Sequence, residues 1–204
     1  MSTPKRLCLG VDLGTTSVKI SLVDVDTRRS VFSTTEPTEA NIQNKDKSDR
    51  SEQNVGKILT ALCSCLMRIT EKNKSNISCI SISGQMHGIM LWHSENQLSL
   101  EDNNIQAHSS SLITWEDRRT TKDFISKIPK PDSHQGISSG FGCVTLFWIL
   151  KNSPDMLVTY DTAGDIMDYV VTLLCGLDKP VMSNQIAASW GYFDTECNSW
   201  NFEM

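Results

Sequence analysis

No stretch of this chain approaches the roughly 20 apolar residues needed to cross a bilayer, so no membrane-spanning helix is expected. No long basic run occurs, and the formal net charge is −5. Neither nucleic acid nor an anionic membrane surface is therefore an expected partner. The pattern G-x-x-x-x-G-K-[ST] is missing, which excludes phosphate binding of the P-loop kind. Metal-like cysteine pairs are missing too, and the seven cysteines are an odd number. Cys63 and Cys65 sit in a helical pattern, while Cys8, Cys79, Cys143 and Cys175 lie in apolar runs. They read as reduced thiols buried as small hydrophobes, in a cytoplasmic protein. Met1–Arg6 run straight into a strand-like segment without a small-residue cleavage site, so no secretory leader is expected. There is no internal repeat and no low-complexity segment.

What is present is an ordinary globular composition. The 204 residues are 39% hydrophobic and 21% charged, enough for one sizeable domain and short for two. The most informative stretch is Leu9–Lys19, L-G-V-D-L-G-T-T-S-V-K. An apolar run delivers one carboxylate, Asp12, to its end. Gly14, Thr15, Thr16 and Ser17 follow, and a second alternating run begins at Val18. This is the outline of a β-hairpin whose turn suits a phosphate. Gly14 tolerates positive φ, successive turn amides form an anion-binding concavity, and the hydroxyls add donors. Lys19 adds a point charge. Asp12 would repel bare phosphate, so its place there implies a cation between them, magnesium with its waters. The alternative is an ordinary hairpin with a polar turn.

Periodicity predicts strands over Leu7–Val11, Val18–Val23, Ser30–Thr34 and Ile77–Ser83, with a short one over Leu112–Trp115. A helix is predicted over Glu52–Lys72, with Val55, Ile58, Leu59, Leu62, Leu66 and Ile69 on one face. Asp49 and Glu52 have the spacing of a capping box at its start. Further helices are expected over Arg119–Lys127, Cys143–Leu150 and Tyr169–Cys175, the last capped by Asp168 and closed by Gly176. Pro154 suits a first helical turn. Asn41–Arg50, Glu95–Ser111, Pro129–Gly140 and Pro180–Gln185 read as loops, and Ser189–Asp194 with Ser199 onward as a hairpin. Together these predict a mixed α/β sheet with helices on its faces.

Two further constellations stand at strand ends. In Ser83-Gly84-Gln85-Met86-His87-Gly88, flanking glycines present Gln85 and His87, whose amide and imidazole can both donate to and accept from hydroxyls. Met86 can pack on an aliphatic sugar face. The alternative is a tight turn with a structural histidine. In Thr114-Trp115-Glu116-Asp117-Arg118-Arg119, an indole beside a carboxylate suits a sugar, the ring on C–H faces and the acid on hydroxyls. Spacing alone favours the alternative, with Trp115 in the core and Asp117 as a helix cap paired with Arg119.

The hairpin resembles the first phosphate loop of the actin-like ATPase superfamily. The order of hairpin, G-Q-M-H-G and W-x-D-x-R resembles the FGGY carbohydrate kinases, and the likeness continues through Ser139–Cys143, Phe147–Lys151, Asp168–Val171 and Ala187–Phe193. It spans about Leu7 to Asn201, and the downstream wording is closest to the branch that acts on a seven-carbon ketose.

The resemblance implies an actin-like ATPase (ribonuclease H-like) α/β lobe, residues 1–204 forming the N-terminal, sugar-binding part of a two-lobe enzyme. It implies ATP and Mg2+ as cofactors, with Gly14, Thr15, Thr16, Ser17 and Lys19 on phosphates and Asp12 on the metal. Gln85, Met86, His87, Trp115 and Asp117 would line the sugar. Glu116 stands where the family usually has Gln, Arg118 where it has Gly, and Asn184 where an acid is common. No G-D-x-x-A stretch is present, so the family's aspartate base, its second phosphate loop and its adenosine pocket are expected in a C-terminal lobe beyond residue 204. Another ketose kinase, acting on xylulose, and a non-catalytic sugar-binding lobe are the alternative expectations.

Overall fold

The computed structural model describes residues 6–43, 48–95, 98–101, 104–133 and 135–201. In chain order the elements are β1 (Leu7–Leu13), β2 (Ser17–Asp24), β3 (Arg29–Pro37), β4 (Asn41–Ile42), β5 (Glu52–Gln53), α1 (Val55–Met67), α2 (Glu71–Lys74), β6 (Ile77–Gly84) and β7 (Met90–Trp92). They continue as β8 (Leu98–Glu101), β9 (Asn104–Ala107), β10 (Leu112–Ile113), α3 (Lys122–Ile125), α4 (Gly142–Asn152), α5 (Asp155–Thr159), β11 (Thr162–Gly164), α6 (Ile166–Cys175), α7 (Asn184–Ser189), β12 (Phe193–Asp194) and β13 (Ser199–Trp200). Two compact units emerge: Met1–Ala40, Gly56–Gly84 and Leu100–Gln106 in one, Asn41–Val55, Gln85–Ser99 and Ala107–Met204 in the other. Among the described residues no helix is long and apolar enough to cross a membrane.

The first unit is built on a four-stranded sheet of order β3-β2-β1-β6. β1 pairs antiparallel with β2 and parallel with β6, so the sheet is mixed, as predicted. Strand alternation sends Leu7, Leu9, Val11, Leu13, Val18, Ile20 and Leu22 to one face, where all are buried. Ile58, Leu59, Leu62 and Cys65 of α1, with Ile69 beyond it, are buried as well, and the Cys65 thiol donates to the Val18 carbonyl at 3.7 Å.

The predicted long helix is shorter and divided. Glu52 and Gln53 are drawn into a ladder between β4 and β10, so no capping box forms with Asp49. At the other end Thr70 adopts an extended conformation and its hydroxyl accepts from the Asn73 amide, which starts α2 afresh. Asn41–Arg50 is likewise not wholly loop, since Asn41–Ile42 form β4, and Asn44–Lys47 lie outside the described residues. Within Glu95–Ser111, β8 and β9 pair, while Asn96, Gln97, Asp102 and Asn103 lie outside the described residues.

The second unit has a core of Ile89, Leu91, Ile113, Ile149 and Trp190, on which Leu146 and Trp148 of α4 pack. α4 is therefore a core helix. α6 begins at Ile166, three residues before its expected start, because Asp165 is the cap. Asp168 is the third helical residue of a capping box, its carboxylate accepting from the Asp165 amide at 3.0 Å. Gly176 closes α6 in the left-handed conformation, φ 59°, as predicted. The helix expected over Arg119–Lys127 shrinks to α3, because Arg119 is buried and its amide is tied to the Asp117 carboxylate. α7 takes up part of the predicted Pro180–Gln185 loop, capped by Ser183. All seven cysteines are free, and only Cys65 is buried. Cys79 and Cys175, expected inside, are exposed, and Cys8 is half-buried on the outer face of β1.

Candidate functional site

The outer face of the four-stranded sheet carries the chemistry of the first unit. Pairing places Thr35, Lys19, Asp12 and Ser83 in one row across β3, β2, β1 and β6. The next row is Ser33, Ser21, Gly10 and Ser81. These residues line an open cavity of about 480 Å3. Gly10 contributes no side chain, so the floor is flat, and hydroxyls surround one carboxylate and one amine. The turn between β1 and β2 sits at the Asp12 end of this face. Its conformation is fixed from within: the Gly14 amide donates to the Ser17 carbonyl at 3.0 Å, and the Thr38 amide to the Thr16 carbonyl at 3.0 Å. Gly14 is required by crowding rather than by positive φ, since a Cβ there would lie 2.9 Å from the Ser17 carbonyl oxygen. Hard oxygen donors beside a lysine fit a magnesium ion held through water on one carboxylate, the usual mode for that ion with phosphates.

The second unit gathers the other predicted residues. The Gln85 amide donates from Nε2 to Gln53 Oε1 at 2.9 Å, and Gln53 Nε2 donates to Asn41 Oδ1 at 2.8 Å. This row of amides orients Gln85, whose own Oε1 is buried and accepts from no described group. That leaves one acceptor unspent, a costly state that a ligand hydroxyl would relieve. Met86 is half-buried beside it. His87 has φ 71°, a left-handed conformation uncommon outside glycine. Its ring is held twice. Nδ1 meets the Ser189 carbonyl at 2.6 Å, and the imidazole stacks on Phe141 with centroids 4.5 Å apart and planes 10° from parallel. A carbonyl can only accept, so Nδ1 carries the proton, and Nε2 of the neutral ring is an acceptor.

Trp115 is 43% exposed and so offers an indole face to solvent. Asp117 is the opposite, 1% exposed. Its Oδ1 accepts from Arg119 N at 3.0 Å and Nε at 2.7 Å, and its Oδ2 from Ser51 N at 2.9 Å and an Arg119 terminal nitrogen at 2.8 Å. A carboxylate has about four acceptor positions, and protein donors fill all four. Arg119 also pairs with Glu52 at 2.5 Å and lies over the Trp148 ring, 5.3 Å from its centroid. Burial works against the Arg119 charge, but hydrogen bonds and charge from Asp117 and Glu52 outweigh it and hold the guanidinium above its usual range. Arg118 donates back to the Trp115 carbonyl at 3.2 Å.

Several holding residues escaped the sequence reading. Ser139 donates to the Asp117 carbonyl at 2.9 Å. Gly140 has φ +85°, and a Cβ there would overlap the Trp115 carbonyl. A Cβ on Gly142 would overlap the Trp190 indole. The stretch Ser139–Gly142 therefore fastens the Trp115 loop, the His87 ring and Trp190 together. Gln53 and Glu52 were hidden because the apolar period placed them in a helix. Asp12, Gly14–Ser17 and Lys19 belong to the first unit, and Gln85, Met86, His87, Trp115 and Asp117 to the second.

The mixed sheet β3-β2-β1-β6 with helices, in a two-unit α/β chain, is the actin-like ATPase fold. Xylulose kinase from Rhodospirillum rubrum has this fold, with a TM-score of 0.76 at 17% identity over 96% of this chain and 40% of that one. Residues 7–204 match the N-terminal domain of the FGGY family of carbohydrate kinases, and the chain belongs to that family. It is 41% identical to sedoheptulokinase of Mus musculus and 40% identical to that of Homo sapiens, in each case over 98% of this chain. It spans 44% of the length of those relatives.

Proposed function

We propose that this chain is the N-terminal, sugar-binding lobe of an ATP-dependent ketose kinase that converts sedoheptulose to sedoheptulose 7-phosphate. The observation that carries this reading is the oriented pair of acceptors, Gln85 Oε1 and His87 Nε2, in a chain of the FGGY family. The 40–41% identity to sedoheptulokinases favours the seven-carbon sugar. Gln85 and His87 accept from sugar hydroxyls, Trp115 offers its face to C–H groups, and Met86 adds apolar contact. Asp117 acts by holding Arg119 and the Ser51 backbone in place, since its own acceptor positions are filled. On the first unit, Lys19 and the Gly14–Ser17 turn hold phosphates. Mg2+ would sit on Asp12 through water and, when bound, neutralise phosphate charge. The base that takes the proton of the attacking hydroxyl is assigned to a C-terminal lobe, which also closes over ATP. The compartment proposed is the cytoplasm.

The test is a coupled ADP-release assay on this chain extended by its downstream coding sequence, with sedoheptulose, xylulose and glycerol. Turnover should be greatest with sedoheptulose. Greater kcat/KM with xylulose would move the assignment to a five-carbon ketose. Absence of turnover with every sugar, with binding retained, would make the lobe a non-catalytic sugar binder.

A further inference from the structure

The outer face of the sheet continues beyond the cavity row. Two residues back from Gly10 on β1 lies Cys8, and its partner on β6 is Cys79. Partners in a parallel pair point to the same side, and this is the side away from the α1 core. Adjacent strands run about 4.8 Å apart, within the roughly 4.4–6.8 Å between Cα atoms that a disulfide spans. The Cys8 thiol is raised above its ordinary range, first by interaction with Cys79 and then by burial. Cys79 is exposed and Cys8 half-buried, and both are reduced. The remaining cysteines are not placed this way. Cys63 and Cys65 are two apart on α1, where such residues do not face each other.

We propose that Cys8 and Cys79 form a redox-active dithiol that glutathione disulfide converts to a cross-strand disulfide. The exposed Cys79 sulfur, as thiolate, attacks one sulfur of glutathione disulfide. Its S–S bond breaks, one glutathione leaves as thiolate, and Cys79 is left as a mixed disulfide. Cys8, as thiolate, then attacks the Cys79 sulfur, forming the Cys8–Cys79 bond and expelling the second glutathione. Two protein thiols are oxidised, one glutathione disulfide is reduced to two glutathiones, and the two thiol protons end on them. Exposure sets the order. Cys79 is the more accessible sulfur and reacts first, while interaction with Cys79 and burial hold the half-buried Cys8 thiol above its ordinary range. Closure staples β1 to β6 about 13 Å along the strands from the Asp12–Ser83 row.

The experiment equilibrates the 204-residue chain in glutathione/glutathione disulfide mixtures, quenches with acid, counts thiols and maps peptides by mass. Cys8 and Cys79 should both be lost as thiols in one peptide linking them, with any glutathione on the exposed Cys175 and Cys197 mapped separately. Cys8→Ser should stop at one glutathione on Cys79, and Cys79→Ser should lose the linked peptide and leave Cys8 unmodified over the same interval. A wild-type chain that ends with glutathione on Cys79 and no Cys8–Cys79 link overturns the proposal. So does a paired loss of two thiols that persists in both variants. The wild-type map decides even if a variant fails to fold, and it is independent of the sugar-kinase reading.

Discussion

Asp168→Asn should stabilise the second unit at alkaline pH and leave it nearly unchanged near pH 5. In the native capping box Asp165 Oδ1 accepts from Met167 N at 2.7 Å and Asp168 N at 2.9 Å, while Asp168 Oδ2 accepts from Asp165 N. Both carboxyls are buried, at 1% and 2% exposure, and Asp165 Oδ2 accepts from no described group. Burial pushes Asp165 up to about 6. Burial and then the Asp165 charge push Asp168 up to about 8. The native pair therefore retains a proton at neutral pH that the unfolded chain, near 3.9, has released.

Each extra proton bound in the folded state makes stability fall by about 1.4 kcal/mol per pH unit as pH rises, with about two extra near pH 5 and one near pH 7. The contribution is full below about pH 3.9 and is lost as pH climbs through the folded values; from pH 5 to pH 8 Asp168 accounts for a drop of roughly 3–4 kcal/mol and Asp165, mostly below pH 6, for about 1 more. Asparagine keeps an acceptor for the Asp165 amide, adds a donor towards Asp165 and cannot ionise. The variant should match the parent near pH 5 and exceed it by roughly 3 kcal/mol at pH 8. Urea unfolding followed by Trp92 fluorescence reads this, since Trp92 is fully buried and meets Tyr169 on α6 edge-on at 5.1 Å. A parent whose midpoint is flat from pH 5 to 8, or a variant less stable than the parent at pH 8, would refute the reasoning.

Arg119→Met removes the guanidinium from Asp117 and Glu52 and leaves a buried carboxylate unpaired, a loss of about 3–5 kcal/mol. The double variant with Asp117→Leu should recover much of it in the same unfolding assay, and no recovery would mean that the pair is not the source. Trp115→Ala should shift stability by less than about 1 kcal/mol, because the ring is half in solvent, while weakening ketose binding by the extended protein several-fold. Equal affinity in calorimetry would remove Trp115 from the sugar face. Asp12→Asn should weaken ATP binding by the extended protein in magnesium and have little effect in chelator. The same affinity as the parent under both conditions would sink its metal role.

Local pattern carried most of the first unit. Strand alternation in β1 and β2 and the 3.6-residue period of α1 named nearly every side chain that ends up buried there. It failed where long-range pairing overrode local preference. Glu52 and Gln53 lie in phase with the helix, yet β4 and β10 offer them backbone partners from distant sequence. Asp117 was read either as an acceptor beside an indole or as a helix cap paired with Arg119, and the pair with Arg119 forms. The saturation of Asp117 depends on the Ser51 amide and on the burial of Arg119, neither of which has a local signature. Asp165 was passed over as a cap for Asp168 because either fits the spacing of a helix start. The cysteines were misjudged because an apolar strand neighbourhood does not say which face a residue takes.

The order of motifs was enough by itself to mark the family the chain belongs to, because it rests on residue types at short spacing. Tertiary structure alone decided which groups remain free to act. It orients Gln85 through Gln53 and Asn41, engages His87 Nδ1 with the Ser189 carbonyl, and leaves Trp115 open while filling Asp117. It also lays Cys8 beside Cys79 on an open face. Hydrogen-bond capacity and burial are sums over neighbours brought from far along the chain, and only the folded arrangement completes those sums.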